Sequence, residues 1–144
     1  MAPSSVSNEH AMGTVARLRE EELADRRSKG LDRWDEMWEG VLHMTPAPNV
    51  EHQRIVGALI EFLRPLLRNT GRGTLIPGIN VFREASAALD YRIPDLTFVA
   101  AGREHVLAED GVRGAGPDAV IEVRSRGMRP TRSCRFMPRW VWRK

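Results

Sequence analysis

The clearest hydrophobic pattern in the chain lies between Asn49 and Leu67, and it predicts an amphipathic α-helix. The apolar residues that repeat there at helical spacing are Ile55, Val56, Leu59, Ile60, Leu63, Leu66 and Leu67. Asn49 is a favourable N-cap for this helix, and Pro65 is expected to kink or shorten its last turn. A weaker stripe predicts another helix from Thr14 to Lys29 that ends at Gly30.

Short runs of apolar and β-branched residues predict strands in four places. The first is the second half of Leu31–Met44, with a turn at Gly40. The others are Thr74–Arg83, which its Pro-Gly pair divides into two strands or one bulged strand, then Arg92–Val99 and Asp118–Ser125.

The remaining stretches predict connections. Glu84–Asp90 is a polar, alanine-rich turn, and Gly102–Gly116 is a loop with one helical turn around Glu104–Glu109. The resulting order of elements predicts an α/β fold, with a mixed β-sheet and the long helix packed on one face.

Composition narrows the class of protein. A length of 144 residues fits one domain, and its 42% hydrophobic and 28% charged residues are ordinary for a globular protein. The single Cys134 excludes an internal disulfide framework and a multi-cysteine zinc site. No apolar run approaches the ~18 residues of a membrane-spanning helix, and Met1–Gly13 lacks the features of a secretory signal. We therefore expect a cytoplasmic protein without a membrane partner.

The positive charge is confined to the end of the chain. Residues 124–144 hold seven arginines, one lysine and no acidic residue, whereas residues 1–123 hold 14 basic and 19 acidic residues. The net charge of +3 therefore reflects a break in composition rather than a basic face on a fold. We divide the chain into a disordered N-terminus (1–13), a folded domain (14–125) and a basic, aberrant tail (126–144).

Two carboxylates lie in runs that are predicted to be buried strands. Asp95 follows Pro94 at the start of one run, and Glu122 lies in the middle of the other. A carboxylate there is costly unless a positive group lies beside it, and a divalent cation is the simplest candidate. Taken singly, each is more often structural, Asp95 as a turn or strand-entry residue and Glu122 as part of a solvated edge strand. Taken together, they favour the metal site of a phosphodiester hydrolase.

Four segments, in this order and spacing, resemble the PD-(D/E)XK nuclease superfamily and, within it, the Uma-two family of restriction endonucleases. They are EMWEGVLHM (36–44), EHQR (51–54), YRIPD (91–95) and GPDAVIEVRS (116–125). The resemblance covers Trp34 to Ser125. It implies a restriction-endonuclease-like core, in which a mixed sheet is flanked by helices, and a Mg²⁺-dependent DNA endonuclease.

The resemblance also implies roles for individual residues. Asp95 and Glu122 would hold Mg²⁺, with Mn²⁺ as an alternative, and the Val123 carbonyl would assist them. The ion would lower the pKa of a bound water and neutralise charge on the scissile phosphate. Glu36 and His52 match family positions near the site, although His52 equally suits an exposed helix N-terminus. The implied partner is DNA, and a homodimer is one open alternative for the assembly.

The sequence departs from the family pattern at its lysine. These nucleases need a Lys near the metal to orient water or stabilise the phosphate. Arg124 stands two residues after Glu122 and cannot give up its proton, and the helix that usually supplies the family's Lys is missing after Ser125. We therefore expect an incomplete core, low stability and little or no nuclease activity. The apolar side chains expected to lie exposed are Leu59, Leu63, Val120 and Ile121.

Two further interpretations stay open. The tail mixes arginines with Phe136, Trp140 and Trp142, a combination that can contact phosphates and stack on bases. The chain could thus be a non-enzymatic nucleic-acid-binding protein, or an inactive fragment. Salt-sensitive binding without Mg²⁺ that disappears when 126–144 are deleted would favour the first of these.

The composition break also has a genetic explanation, which is that the gene lost one base near the Ser125 and Arg126 codons. Read one base earlier, the codons of residues 127–137 permit His-Glu-Thr-Tyr-Glu-Lys-Leu-Pro-Phe-Tyr, the pattern of the missing helix with its Lys. Met137-Pro138 then forces Ala, and Trp140-Val141 forces Gly. We predict that sequencing the gene will reveal this open frame. A stop codon in it, or no Lys codon across Arg132-Ser133, would contradict the frameshift.

Overall fold

The computed structural model describes residues 14–83 and 90–124, and it confirms the expected α/β class with a mixed sheet. The two helices are α1 (Glu20–Ser28) and α2 (Val50–Thr70). The strands are β1 (Thr14–Ala16), β2 (Asp35–Trp38), β3 (Val41–Met44), β4 (Gly73–Pro77), β5 (Val81–Phe82), β6 (Tyr91–Arg92), β7 (Leu96–Ala100), β8 (Leu107–Ala108), β9 (Gly111–Val112) and β10 (Ala119–Ile121).

Some of the predictions fall on residues outside these ranges. They are the disordered N-terminus at 1–13, most of the turn at 84–90, and the tail at 126–144 with its proposed nucleic-acid binding. Neither α1 nor α2 has the length and apolar content that crossing a membrane requires.

The strands form two sheets. The large sheet has the order β1-β3-β2-β6-β5-β9-β8, and it is mixed because β5 and β9 run parallel while its other pairs are antiparallel. The small sheet has the antiparallel order β10-β7-β4. The chain passes from the large sheet to the small one between β6 and β7. We call these three residues, Ile93–Asp95, the junction segment.

The helix α2 packs its apolar face on the small sheet. Val56 lies buried with Leu75 of β4 and Leu96 of β7, and other apolar residues of α2 pack around them. The large apolar side chains that α2 exposes are Val50, Ile55, Phe62 and Leu66. The expectation that Leu59 and Leu63 would be exposed is therefore wrong, because both pack against this core, as does Ile121.

Pro65 does not shorten α2, contrary to the expectation. The helix continues to Thr70, where Gly71 adopts the left-handed conformation (φ 60°) that ends it. Proline removes one backbone N–H, but Leu67 beyond it still packs on the core and holds the last turn in place.

Three other predicted elements differ from the structure. The helix predicted at Thr14–Lys29 begins as strand β1, because these residues pair with the edge of β3. The single strand predicted at Arg92–Val99 divides at Pro94, which is fully buried and has no N–H for a sheet. The loop predicted at Gly102–Gly116 contains the β8–β9 hairpin in addition to a short 3₁₀ turn, Glu104–Val106.

A buried ion pair fastens α1 to the large sheet. Asp35 is 3% exposed, and its two carboxylate oxygens accept hydrogen bonds from Nε and Nη2 of Arg26 at 2.9 and 3.0 Å. The same Arg26 also donates to the Leu31 carbonyl. Such a bidentate pair fixes geometry as well as charge.

We predict that Asp35→Ala lowers the free energy of unfolding by about 3 kcal/mol, since it leaves a half-buried guanidinium without its partner. The matched control is Asp25→Ala, which removes the exposed pair of Asp25 with Lys29 and should cost less than about 1 kcal/mol. Urea unfolding of both variants measures the difference. Equal losses would contradict the assignment.

Candidate active site

Asp95 lies at the end of the junction segment, and two elements hold its carboxylate. Oδ1 lies 2.8 Å from Nε2 of His52, and Oδ2 accepts the Val123 N–H at 2.6 Å. Its backbone carbonyl accepts the N–H of Gly78, which follows β4. The Asp95 side chain keeps 20% of its surface exposed, so a ligand can still reach it. Asp95 directly precedes strand β7, which begins at Leu96.

His52 reaches the site from the first turn of α2. Its backbone N–H donates to the side chain of the N-cap Asn49 at 2.9 Å, which positions the turn. Its ring points at Asp95, and only 12% of the side chain is exposed. Of the two alternatives that the sequence left open, the structure thus places His52 beside the site rather than on the open surface.

Glu36 of β2 holds the junction segment from the other side. Its Oε1 accepts the backbone N–H of Ile93 at 2.8 Å, and its Oε2 accepts the indole N–H of Trp38 at 3.0 Å. Oε1 therefore fixes the backbone near Asp95, while Oε2 holds the Trp38 ring. The sequence pointed to Glu36 through the family resemblance, but it did not reveal this positioning contact.

Glu122 is the first residue after β10, whereas the sequence predicted that it lies in the middle of a strand. It stays exposed to solvent, yet the surrounding protein atoms partly desolvate its carboxyl. This desolvation, followed by the negative charges of Asp95 and Glu36, raises the pKa of Glu122 to about 7. Hydrogen bonding to the Asp95 backbone and the charge of Arg92 act in the opposite direction. The carboxylates of Asp95 and Glu36 therefore lie close enough to Glu122 to disfavour its charged form.

The donor set suits a magnesium-type ion that takes few ligands from protein. Within residues 14–83 and 90–124, no three His, Cys, Asp or Glu side chains are arranged to hold a metal by themselves. Mg²⁺ commonly uses one or two carboxylates and completes its shell with water and phosphate oxygens. Asp95 and Glu122 provide such a pair. A bound cation would offset the repulsion by which Asp95 raises the pKa of Glu122. Val123 contributes a backbone N–H to Asp95; its carbonyl is the group that the sequence implicated.

The sequence interpretation missed a second set of residues beside these carboxylates. The guanidinium of Arg92 lies 3.6 Å from the centroid of the Trp38 ring, and the ring of His43 stacks on Trp38 at 3.6 Å. Burial and then the charge of Arg92 lower the pKa of His43. The signal in the sequence was Arg92 itself, a charged residue directly before the Ile-Pro-Asp of a predicted buried strand.

Comparison with known proteins identifies the family of the chain. A family model described as "Uma2: Putative restriction endonuclease" matches residues 21–136. The match begins before Trp34 and continues past Ser125, so it is longer on both sides than the resemblance noted in the sequence. No curated protein matches the chain.

The raised pKa of Glu122 predicts how the metal-free protein responds to pH. Between about pH 4.5 and about 7 the folded state holds a proton that the unfolded chain has lost, so stability should fall as pH rises through this window. Glu122→Gln removes this pH-dependent loss of stability. The thermal midpoint of the variant should therefore rise relative to that of the wild type as the pH goes from 5 to 8. Glu61→Gln, an exposed change on α2, should follow the wild-type curve. Parallel curves for Glu122→Gln and the wild type would contradict the prediction.

Proposed function

We propose that this chain, which belongs to the Uma2 family, is a Mg²⁺-dependent endonuclease. It would hydrolyse phosphodiester bonds in DNA. The observation that carries the proposal is the convergence of Asp95 and Glu36 on Glu122, whose pKa is raised to about 7 by desolvation and then by the negative charges of the other two. Three carboxylates at the junction of two sheets form an unfavourable arrangement unless a cation binds there. The family description supports DNA cleavage as the use of that cation.

Asp95 and Glu122 are the residues that would hold the ion, Mg²⁺ or alternatively Mn²⁺, with help from the Val123 carbonyl. When bound, such an ion polarises a water molecule and offsets charge on the phosphate. His52 orients the Asp95 carboxylate through its 2.8 Å contact, in the way that outer partners commonly orient metal ligands. Glu36 fixes the backbone of the junction segment through Ile93, so that Asp95 keeps its position when substrate binds.

The proposed reaction is a hydrolysis that consumes one water. The water oxygen forms a bond to phosphorus, and one of the two P–O ester bonds of the linkage breaks. The departing oxygen takes up a proton, so that one product ends in a phosphate monoester and the other in a hydroxyl.

The incomplete family pattern predicts that cleavage by the wild type is slow, and Asp95→Asn should lower its rate further, by more than about a hundredfold, since it removes a negative metal ligand. His52→Ala should lower it by about 10- to 100-fold, the range typical of groups that orient a ligand. Cleavage of plasmid and single-stranded DNA is measured with Mg²⁺, with Mn²⁺ and with a chelator. Glu61→Gln is the control and should cleave like the wild type. Wild-type cleavage by Asp95→Asn, or cleavage that survives the chelator, would refute the proposal.

A further inference from the structure

Among residues 14–83 and 90–124 no lysine lies beside the carboxylates, so a positive charge for the phosphate has to come from another residue. Lys29 is the exposed C-cap residue of α1, and its ammonium group pairs with the Asp25 carboxylate at 2.6 Å. Arg124 lies on the surface beyond Glu122. A cation that acts on the reacting phosphate has to lie among the carboxylates instead.

Arg92 meets this requirement. It ends β6, directly before the junction segment that carries Asp95. The pairing of Met37 with Tyr91 places Arg92 across from Glu36 on the neighbouring strand β2. The charges of Glu36, Asp90, Glu122 and Glu39 all act on the guanidinium, so two of the site's three carboxylates are among its charged neighbours.

The Arg92 guanidinium lacks the partners that a buried charge usually has. Its Nη1 is buried, and no described residue accepts a hydrogen bond from it. No ion pair joins Arg92 to a carboxylate among the described residues, in contrast to Arg26 and Arg103, whose guanidinium groups bind carboxylates directly. An N–H left without an acceptor in this way destabilises the fold. Such a group is retained at a cost. Because Arg92 as a whole is only partly buried, an anion that enters the site can approach its side chain.

We propose that Arg92 contacts the scissile phosphate and donates hydrogen bonds to its non-bridging oxygens, supplying positive charge beside the carboxylates. This inference rests on the proposed function. A guanidinium suits the task because its planar fork matches two phosphate oxygens at once and because it stays charged when buried.

Trp38 makes Arg92 ready for this contact. The indole ring lies under the guanidinium at 3.6 Å, which restricts its orientation, and the indole N–H is bonded to Glu36. The ring therefore links the cation to the carboxylate that positions the junction segment. A donor that is already fixed in place needs no reorganisation when the charge on the phosphate increases.

Binding of a single phosphodiester tests the contact independently of cleavage. The probes are thymidylyl-thymidine, which has one charged linkage, and its neutral methylphosphonate analogue, each titrated by NMR in the presence of Ca²⁺. The wild type should prefer the charged probe by about tenfold, and Arg92→Gln should lose that preference. Arg113→Gln is the matched control, because Arg113 also lies over an aromatic ring, Phe82 at 3.7 Å, but pairs with Asp110. Arg113→Gln should keep the preference.

Cleavage kinetics separate this inference from the proposed function. Arg92→Gln should lower kcat about a hundredfold with little change in KM, since the charge acts mainly in the transition state. If Arg92→Gln cleaves at the wild-type rate, Arg92 is not the phosphate contact, although the nuclease function stands. If the charged probe is preferred only when Arg92 is present, yet the wild type never cleaves DNA, then the contact stands and the nuclease function fails.

Arg92→Lys is a second variant, which keeps the test decisive if Arg92→Gln does not fold. It keeps the charge and loses only the fork, so it should retain a reduced preference for the charged probe. A wild type that binds both probes equally, or an Arg92→Lys variant that is folded by circular dichroism and shows no preference at all, would overturn the inference.

Discussion

The carboxylate of Asp95 receives one contact from the His52 ring of α2 and one from the backbone N–H of Val123 after β10. Because Asp95 also ends one of the segments that cross between the two sheets, these contacts help to fix the helix and the sheets relative to one another. Glu36 adds the constraint from the opposite side by accepting the N–H of Ile93. Hydrogen bonds to a charged group are each worth about 1.5–3 kcal/mol, so the arrangement is stable as well as specific.

Charge balance explains why these residues belong together. Three carboxylates meet at the junction, and the one guanidinium beside them lacks a direct ion pair within the described chain. Stability alone would favour pairing Arg92 with Glu36 or Glu122, which would neutralise both groups. The fold instead leaves Arg92 beside the carboxylates without a direct ion pair among the described residues. Perturbed charges of this kind are common at functional sites, which is consistent with the proposed binding of a cation and an anionic substrate.

The sequence predicted the elements whose signals are local, and it missed those that depend on pairing between distant segments. The helix from its Asn49 cap onward and the strands at Thr74–Arg83 follow from local spacing and turn residues, and both are found. The short strand Thr14–Ala16 forms only because the edge of β3 is available, so no local pattern could reveal it. Asp95 and Glu122 stood out because charges are unusual in apolar runs. The role that we propose for Arg92 depends on its contact with the Trp38 ring and on its position across from Glu36. Only the folded chain defines these two relations.

The hydrogen bonds that build this site join residues far apart in sequence: 28 positions for Val123, 43 for His52 and 57 for Ile93 with Glu36. Contacts of such long range form late, since the chain must first close large loops. The segment that ends with Val123 is also synthesised after all the others. A nascent chain emerging from the ribosome therefore cannot assemble the cluster until almost the whole domain is available. Any hydrolytic capacity would appear only on completion of folding, so incomplete products of translation would leave nucleic acids intact.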